Sequence, residues 1–261
     1  MDLVFDKTRE RVAQWAADPD VLGVLLVGSR SRGNADALSD DDLEVVLTEE
    51  AAGRISPADC SAVLIEGEGE SRKLIYDAQY LSLGALIKKE ASHIDLDHWP
   101  YERAKILFSR DAELATVVEH LGAMPADFRT KRLIHSTIDA WIPPYRANKC
   151  LKRDQTASAH LLVARGARAL SRLVFALEWR WVPLDHWLEP ELRTLRDEMH
   201  AGPLIVEALT SGEPRPLQDA LDALEPALQA AGVPGPAQRR DLFMELVHPS
   251  RSKERAIHGL Q

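Results

Sequence analysis

Three consecutive aspartates, Asp40, Asp41 and Asp42, stand between two apolar runs, and Gly28-Ser29 opens the polar stretch that leads to them. In an extended strand alternate side chains share a face, so Asp40 and Asp42 point one way and Asp41 the other. Neighbouring carboxylates repel, and burying them unpaired is costly. A divalent cation removes that cost, and Mg²⁺ typically takes one or two carboxylates together with phosphate oxygens. A Gly-Ser turn adds close backbone approach and a hydroxyl, which suits a triphosphate beside the ion. An acidic, solvated turn would account for the aspartates alone, and Gly-Ser alone is weak evidence. Their order and spacing between two strands carry the inference.

Those residues need rigid neighbours, and the flanking sequence supplies them. Val21–Val27 is apolar and short enough for a buried strand, and Val45-Val46-Leu47 begins another. Residues 4–17 read as a helix, with Phe5, Thr8, Val12 and Trp15 at helical spacing and Asp18-Pro19-Asp20 ending it. Ser56-Pro57 fits the start of a short helix. Val63-Leu64-Ile65 and Leu74–Leu81 read as strands separated by Glu66-Gly67-Glu68-Gly69-Glu70. A helix over 83–90, an edge strand within 104–111 and a helix over 112–121 complete this half.

The string Gly28-Ser29-Arg30-x-Arg32-Gly33, ending in Ser39-Asp40-x-Asp42-Leu43, resembles the signature of the nucleotidyltransferase superfamily that includes DNA polymerase beta. It is most similar to the small bacterial members, the aminoglycoside adenylyltransferases and the minimal nucleotidyltransferases of toxin–antitoxin pairs. Asp41 and Glu44 depart from that pattern, where apolar residues are usual. The resemblance implies that Asp40 and Asp42 are catalytic and hold Mg²⁺, with a third carboxylate from a later strand. Asp77 occupies a plausible position for it. Its other reading is an acid on an exposed strand face, but unpaired Asp rarely sits among apolar strand residues. Glu66, Glu68 and Glu70 are competitors in a setting that looks like a hairpin turn. Gly28 and Ser29 would position the phosphates of ATP, and Arg30 or Arg32 would add charge. The implied reaction moves AMP onto a hydroxyl of a small molecule, of aminoglycoside type, and releases pyrophosphate. A protein-modifying enzyme or antitoxin, and an inactive nucleotide-binding module, are the other readings.

Composition bounds these expectations. The chain has 261 residues and a net charge of −9. Residues 1–125 hold 24 Asp and Glu against 13 Lys and Arg, whereas the rest holds 17 against 19. An acidic first half argues against a nucleic-acid backbone as partner and is compatible with a cationic acceptor. Cys60 and Cys150 offer neither zinc spacing nor a disulfide framework, so a reducing cytoplasm is expected. Met1-Asp2-Leu3 has no signal-peptide character, and no stretch is long and apolar enough for a membrane span.

Gly122-Ala123-Met124-Pro125 punctuates the chain, which predicts a nucleotidyltransferase domain over 1–125 and a helical acceptor-side domain over 126–261. The predicted class is α+β: a mixed sheet with flanking helices, then a helical bundle, with the acceptor expected in the cleft between them. Helices are expected over 128–140, broken by Ile142-Pro143-Pro144, and over 155–181, with Ala157, Leu161, Ala164, Ala167 and Leu170 lining one apolar face. Further helices are expected over 189–200, 203–209, 217–230 and 237–247. The aromatic segment from Trp179 to Trp187 is similar to one in helical domains attached to some nucleotidyltransferases; sealing the bundle core is the preferred reading.

Overall fold

Helix α1 (Asp6–Ala17) opens the computed structural model, which describes residues 4–258. Strand β1 (Val21–Val27) follows, then a short helix α2 (Gly28–Arg32) where the sequence suggested only a turn. Strand β2 (Asp41–Leu47) and helix α3 (Glu49–Arg54) come next. Strands β3 (Ser61–Glu66) and β4 (Lys73–Ser82) form a hairpin that runs into helix α4 (Leu83–Lys88). Strand β5 (Lys105–Ser109) and helix α5 (Leu114–Gly122) end the first of two compact units, which divide between Ala123 and Met124.

The five strands make one mixed sheet in the order β3-β4-β2-β1-β5. β1 is antiparallel to both β2 and β5, while β2 runs parallel to β4. β1 and the second half of β2, Val45–Leu47, are apolar on both sides because both sheet faces are covered, whereas β2 opens with Asp41, Asp42 and Glu44. One face packs Trp15 of α1 with Val24, Leu26, Leu43 and Val45; the other packs Leu86, Leu114 and Leu121 with Leu25 and Val46. The parity of β2 therefore sends odd residues toward α1 and even residues toward α4 and α5.

The second unit is helical. It comprises α6 (Ala126–Leu151), α7 (Thr156–Leu177), α8 (Leu188–Leu192), α9 (Ala201–Ser211), α10 (Arg215–Ala230), α11 (Arg239–Leu246) and α12 (Ser252–His258). The fold is thus α+β, as the sequence indicates. Four local expectations in this unit are corrected. Pro143 and Pro144 lie inside α6 and do not break it. Both are buried, and α7 meets them at Gly166, where an added Cβ would lie 3.1 Å from Pro143 Cβ. Packing along α7 overrides the loss of two helical amides. On α7 the buried stripe is Ala159, Val163, Ala167 and Leu170, while Ala157 and Ala164 are exposed and Leu161 is 74% exposed.

The helix expected over 189–200 stops at Leu192. Glu178 accepts the backbone N–H groups of Arg196 (3.1 Å) and Asp197 (2.9 Å), and Asp197 accepts those of Ala201 and Gly202. These carboxylates turn the chain and start α9. Likewise α7 ends at Leu177, before Trp179 with its positive φ of 62°. Trp181 is buried against Phe128, with ring centroids 5.0 Å apart, so it seals the helical core. Among the described residues no helix is long and apolar enough to cross a membrane.

Candidate functional site

Parallel pairing of β2 with β4 sets Asp42 directly beside Asp77. Residues paired in register point to the same sheet face, so the two carboxylates lie on the side away from α1. Gly28, at the end of β1, closes over Asp42. A Cβ at Gly28 would fall 1.9 Å from Asp42 Oδ2, and its φ is +68°. Only glycine meets both conditions at this position.

Asp42 is half-buried, and its pKa is pushed up to about 6. Burial is the largest cause; repulsion from Asp40, Asp77 and Asp41 adds to it. Asp77 Oδ1 is buried with no hydrogen-bond partner. Among the described residues no Lys or Arg pairs with Asp40, Asp42 or Asp77. Asp42 therefore stands beside Asp77 and near enough to Asp40 to be repelled by both, with no cationic side chain among the described residues to neutralise them.

Asp41 takes the opposite face and a different task. It is fully buried, and its Oδ2 accepts the Phe5 N–H at 2.9 Å and the Thr8 hydroxyl at 2.5 Å. Its Oδ1 lies 2.8 Å from Arg30 Nε, an ion pair whose angle falls short of a hydrogen bond. Burial outweighs these partners and raises the Asp41 pKa. Asp41 thus fastens the first turn of α1 to β2, where a carboxylate is favoured by the free amides of a helix start.

The two arginines expected near the phosphates are both held elsewhere. Arg30 pairs with Asp41 and stacks over Phe5, 3.9 Å from the ring centroid. Arg32 is buried, donates to the Trp99 carbonyl at 2.9 Å, and pairs with Glu102 at 3.0 Å. Their positions give both arginines structural work in this unit, Arg30 toward Asp41 and Arg32 toward Glu102. Ser29 is buried in the first turn of α2, next to Gly28.

One network on the aspartate face was not anticipated. Glu44, two residues after Asp42, accepts hydrogen bonds from the Tyr101 hydroxyl at 2.7 and 2.8 Å and from Lys89 Nζ at 3.2 Å. Lys89 also donates to the Tyr101 oxygen at 2.5 Å. Burial and the adjacent Glu44 raise the Tyr101 pKa, which keeps its proton on the phenol as a donor. The available signal was Glu44 itself, an acid where the resembling family places an apolar residue. Its partners, far away in sequence, gave none.

Among the described residues no group of three or more His, Cys, Asp or Glu is arranged to hold a metal ion. Two observations nevertheless fit a divalent cation at Asp42: the orphaned buried Asp77 Oδ1 and the cradle that any Cβ at Gly28 would fill. Mg²⁺ is bound by one or two carboxylates and completed by phosphate and water, so it needs no closed protein cage. Mutual repulsion also favours separated carboxylate rotamers.

Residues 100–188 match a sequence family described as a domain of unknown function, DUF4037. That match begins after Asp77, so the aspartates lie outside it. No curated protein matches the chain. Among solved structures, the chain is similar to a nucleotidyltransferase-like protein from Exiguobacterium sibiricum 255-15. The identity is 19%, the TM-score 0.47, and the alignment covers 97% of this chain and 88% of that one. A likeness at that level carries no argument about activity.

Proposed function

We propose that this chain is a Mg²⁺-dependent nucleotidyltransferase that moves AMP from ATP onto a hydroxyl of a small molecule and releases pyrophosphate. One observation supports it above the others: Gly28 lies against Asp42, and Asp42 lies in register with Asp77. Asp42 is central to the site, Asp40 and Asp77 flank it, and all three are the residues that would hold Mg²⁺. When bound, the ion supplies charge neutralisation to the phosphates and lowers the pKa of an attacking hydroxyl. The chain's own part is positional. Gly28 leaves the space beside Asp42 free of a side chain, and the parallel ladder fixes the spacing of Asp42 and Asp77. With Arg30 and Arg32 engaged elsewhere, the triphosphate charge would be balanced mainly by cation rather than by guanidinium.

The acidic balance of residues 1–125 favours a cationic acceptor, of which aminoglycosides are one class. The test is incubation with labelled ATP and Mg²⁺ across aminoglycosides, lincosamides and proteins, reading pyrophosphate and labelled product. Label on a protein substrate would redirect the reading to protein modification. ATP bound equally with and without Mg²⁺, with no pyrophosphate from any acceptor, would leave an inactive nucleotide-binding module.

A further inference from the structure

The helical unit contains a cavity of about 190 Å³ whose wall carries three guanidiniums, from Arg146 on α6, Arg165 on α7 and Arg255 on α12. Its single carboxylate is Asp139, which is buried. Asp139 is already balanced from α7: Arg165 donates to its Oδ1 at 3.1 and 2.7 Å, and Arg172 lies 3.7 Å from its Oδ2. Among the described residues, Arg146 and Arg255 have no carboxylate partner. Arg255 Nε is buried and lacks any hydrogen-bond partner.

Two uncompensated guanidiniums facing one small cavity repel, and a buried N–H without an acceptor costs stability. An anion in the cavity answers both. Guanidinium forks match the oxygens of phosphate and carboxylate. Charge selects between them: two spare positive charges match a phosphate monoester, which carries about two negative charges near pH 7, better than a carboxylate with one.

The cavity also adjoins a larger, open groove of about 600 Å³, and the two share Ile142, Arg146 and Phe243. The groove adds Trp141, Tyr145 and Met244, an aromatic and apolar lining suited to a flat organic group. We propose that the helical unit binds an aromatic phosphate monoester, with its phosphate held by Arg146, Arg165 and Arg255 and its ring in the groove lined by Trp141 and Tyr145. This site is made by the helical unit alone and does not rest on the activity assigned to the aspartates.

The test is calorimetric titration of the full chain with phenyl phosphate, benzoate, inorganic phosphate and benzyl alcohol, at low salt and with EDTA present. The expected order is saturable binding of phenyl phosphate, about tenfold weaker binding of benzoate and of inorganic phosphate, and no binding of benzyl alcohol. Arg146→Gln and Arg255→Gln should each weaken phenyl phosphate about tenfold. Arg146 is exposed, so its variant should keep the parent melting temperature. Asp42→Asn should leave binding unchanged. Failure of phenyl phosphate to saturate at millimolar concentration, affinity unaltered in both arginine variants, or equal binding of benzoate would each overturn the proposal.

Discussion

Asp41 and Asp42 are neighbours with opposite surroundings, and their substitutions should separate accordingly. Asp42→Asn keeps the side-chain shape but removes the charge proposed to hold Mg²⁺, so pyrophosphate release should fall by orders of magnitude. Without ligand, the same change should stabilise. The pKa of folded Asp42 lies at about 6, above its ordinary 3.8. A raised pKa contributes stability that is present below about pH 4 and is lost as pH rises through about 6. The ligand-free parent should therefore melt higher at pH 4.5 than at pH 7.5 by an amount Asp42→Asn abolishes. Because Asp42 is partly solvated, that amount should be on the order of 1 kcal/mol. Asp41→Asn should do the reverse. Asn offers one acceptor where Phe5, Thr8 and Arg30 between them use both carboxylate oxygens. A buried donor loses its acceptor, at a cost of about 1–3 kcal/mol read by denaturant titration. Loss of activity in Asp41→Asn should then follow its loss of folded protein. An Asp41→Asn variant as stable as the parent would show that this carboxylate does not fasten α1 to β2.

At the level of elements, the strands were legible because each is a short apolar run bounded by Gly, Pro or acidic turns, and both faces of the central strands are covered. The alternation rule also assigned Asp41 and Asp42 to opposite faces before any fold was known. The register of β2 against β4 was not legible, since nothing local specifies which residue of a distant parallel strand stands beside Asp42. For the same reason Lys89 and Tyr101 were invisible as partners of Glu44. The helical unit was less readable where tertiary packing overrides local preference. Pro143 and Pro144 signal a break, yet α6 continues because the contact with α7 at Gly166 compensates. Gly166→Val tests this. A Cβ there would already lie 2.8 Å from Leu217 Cδ1 and 3.1 Å from Pro143 Cβ, and a branched side chain adds more. We expect a loss of about 2–3 kcal/mol in denaturant titration, beyond what helix propensity explains. A variant of parent stability would mean that this contact does not hold the proline segment in the helix.

At the scale of the whole chain, the two units differ in architecture and in charge, and both differences predict separable behaviour. All five strands lie between Val21 and Ser109, so the sheet closes within the first unit. The core of the second is built from α6, α7, α9 and α10, with Leu133, Ile138, Leu170, Ile205 and Leu221 buried. Each unit thus has the interior that an autonomous domain needs. We expect a fragment of residues 124–261 to melt cooperatively with a helical circular-dichroism spectrum, and a fragment of residues 1–123 to melt as a mixed α/β protein. Salt should tell them apart. The first carries a strong acidic excess that includes Asp40, Asp42 and Asp77, none of them paired with a Lys or Arg among the described residues, so added salt or Mg²⁺ should raise its melting temperature by screening repulsion. The nearly balanced helical fragment should respond little to Mg²⁺. Aggregation or non-cooperative melting of both fragments would show that neither core suffices alone. A salt response confined to the helical fragment would place the dominant repulsion among its arginines rather than around Asp42.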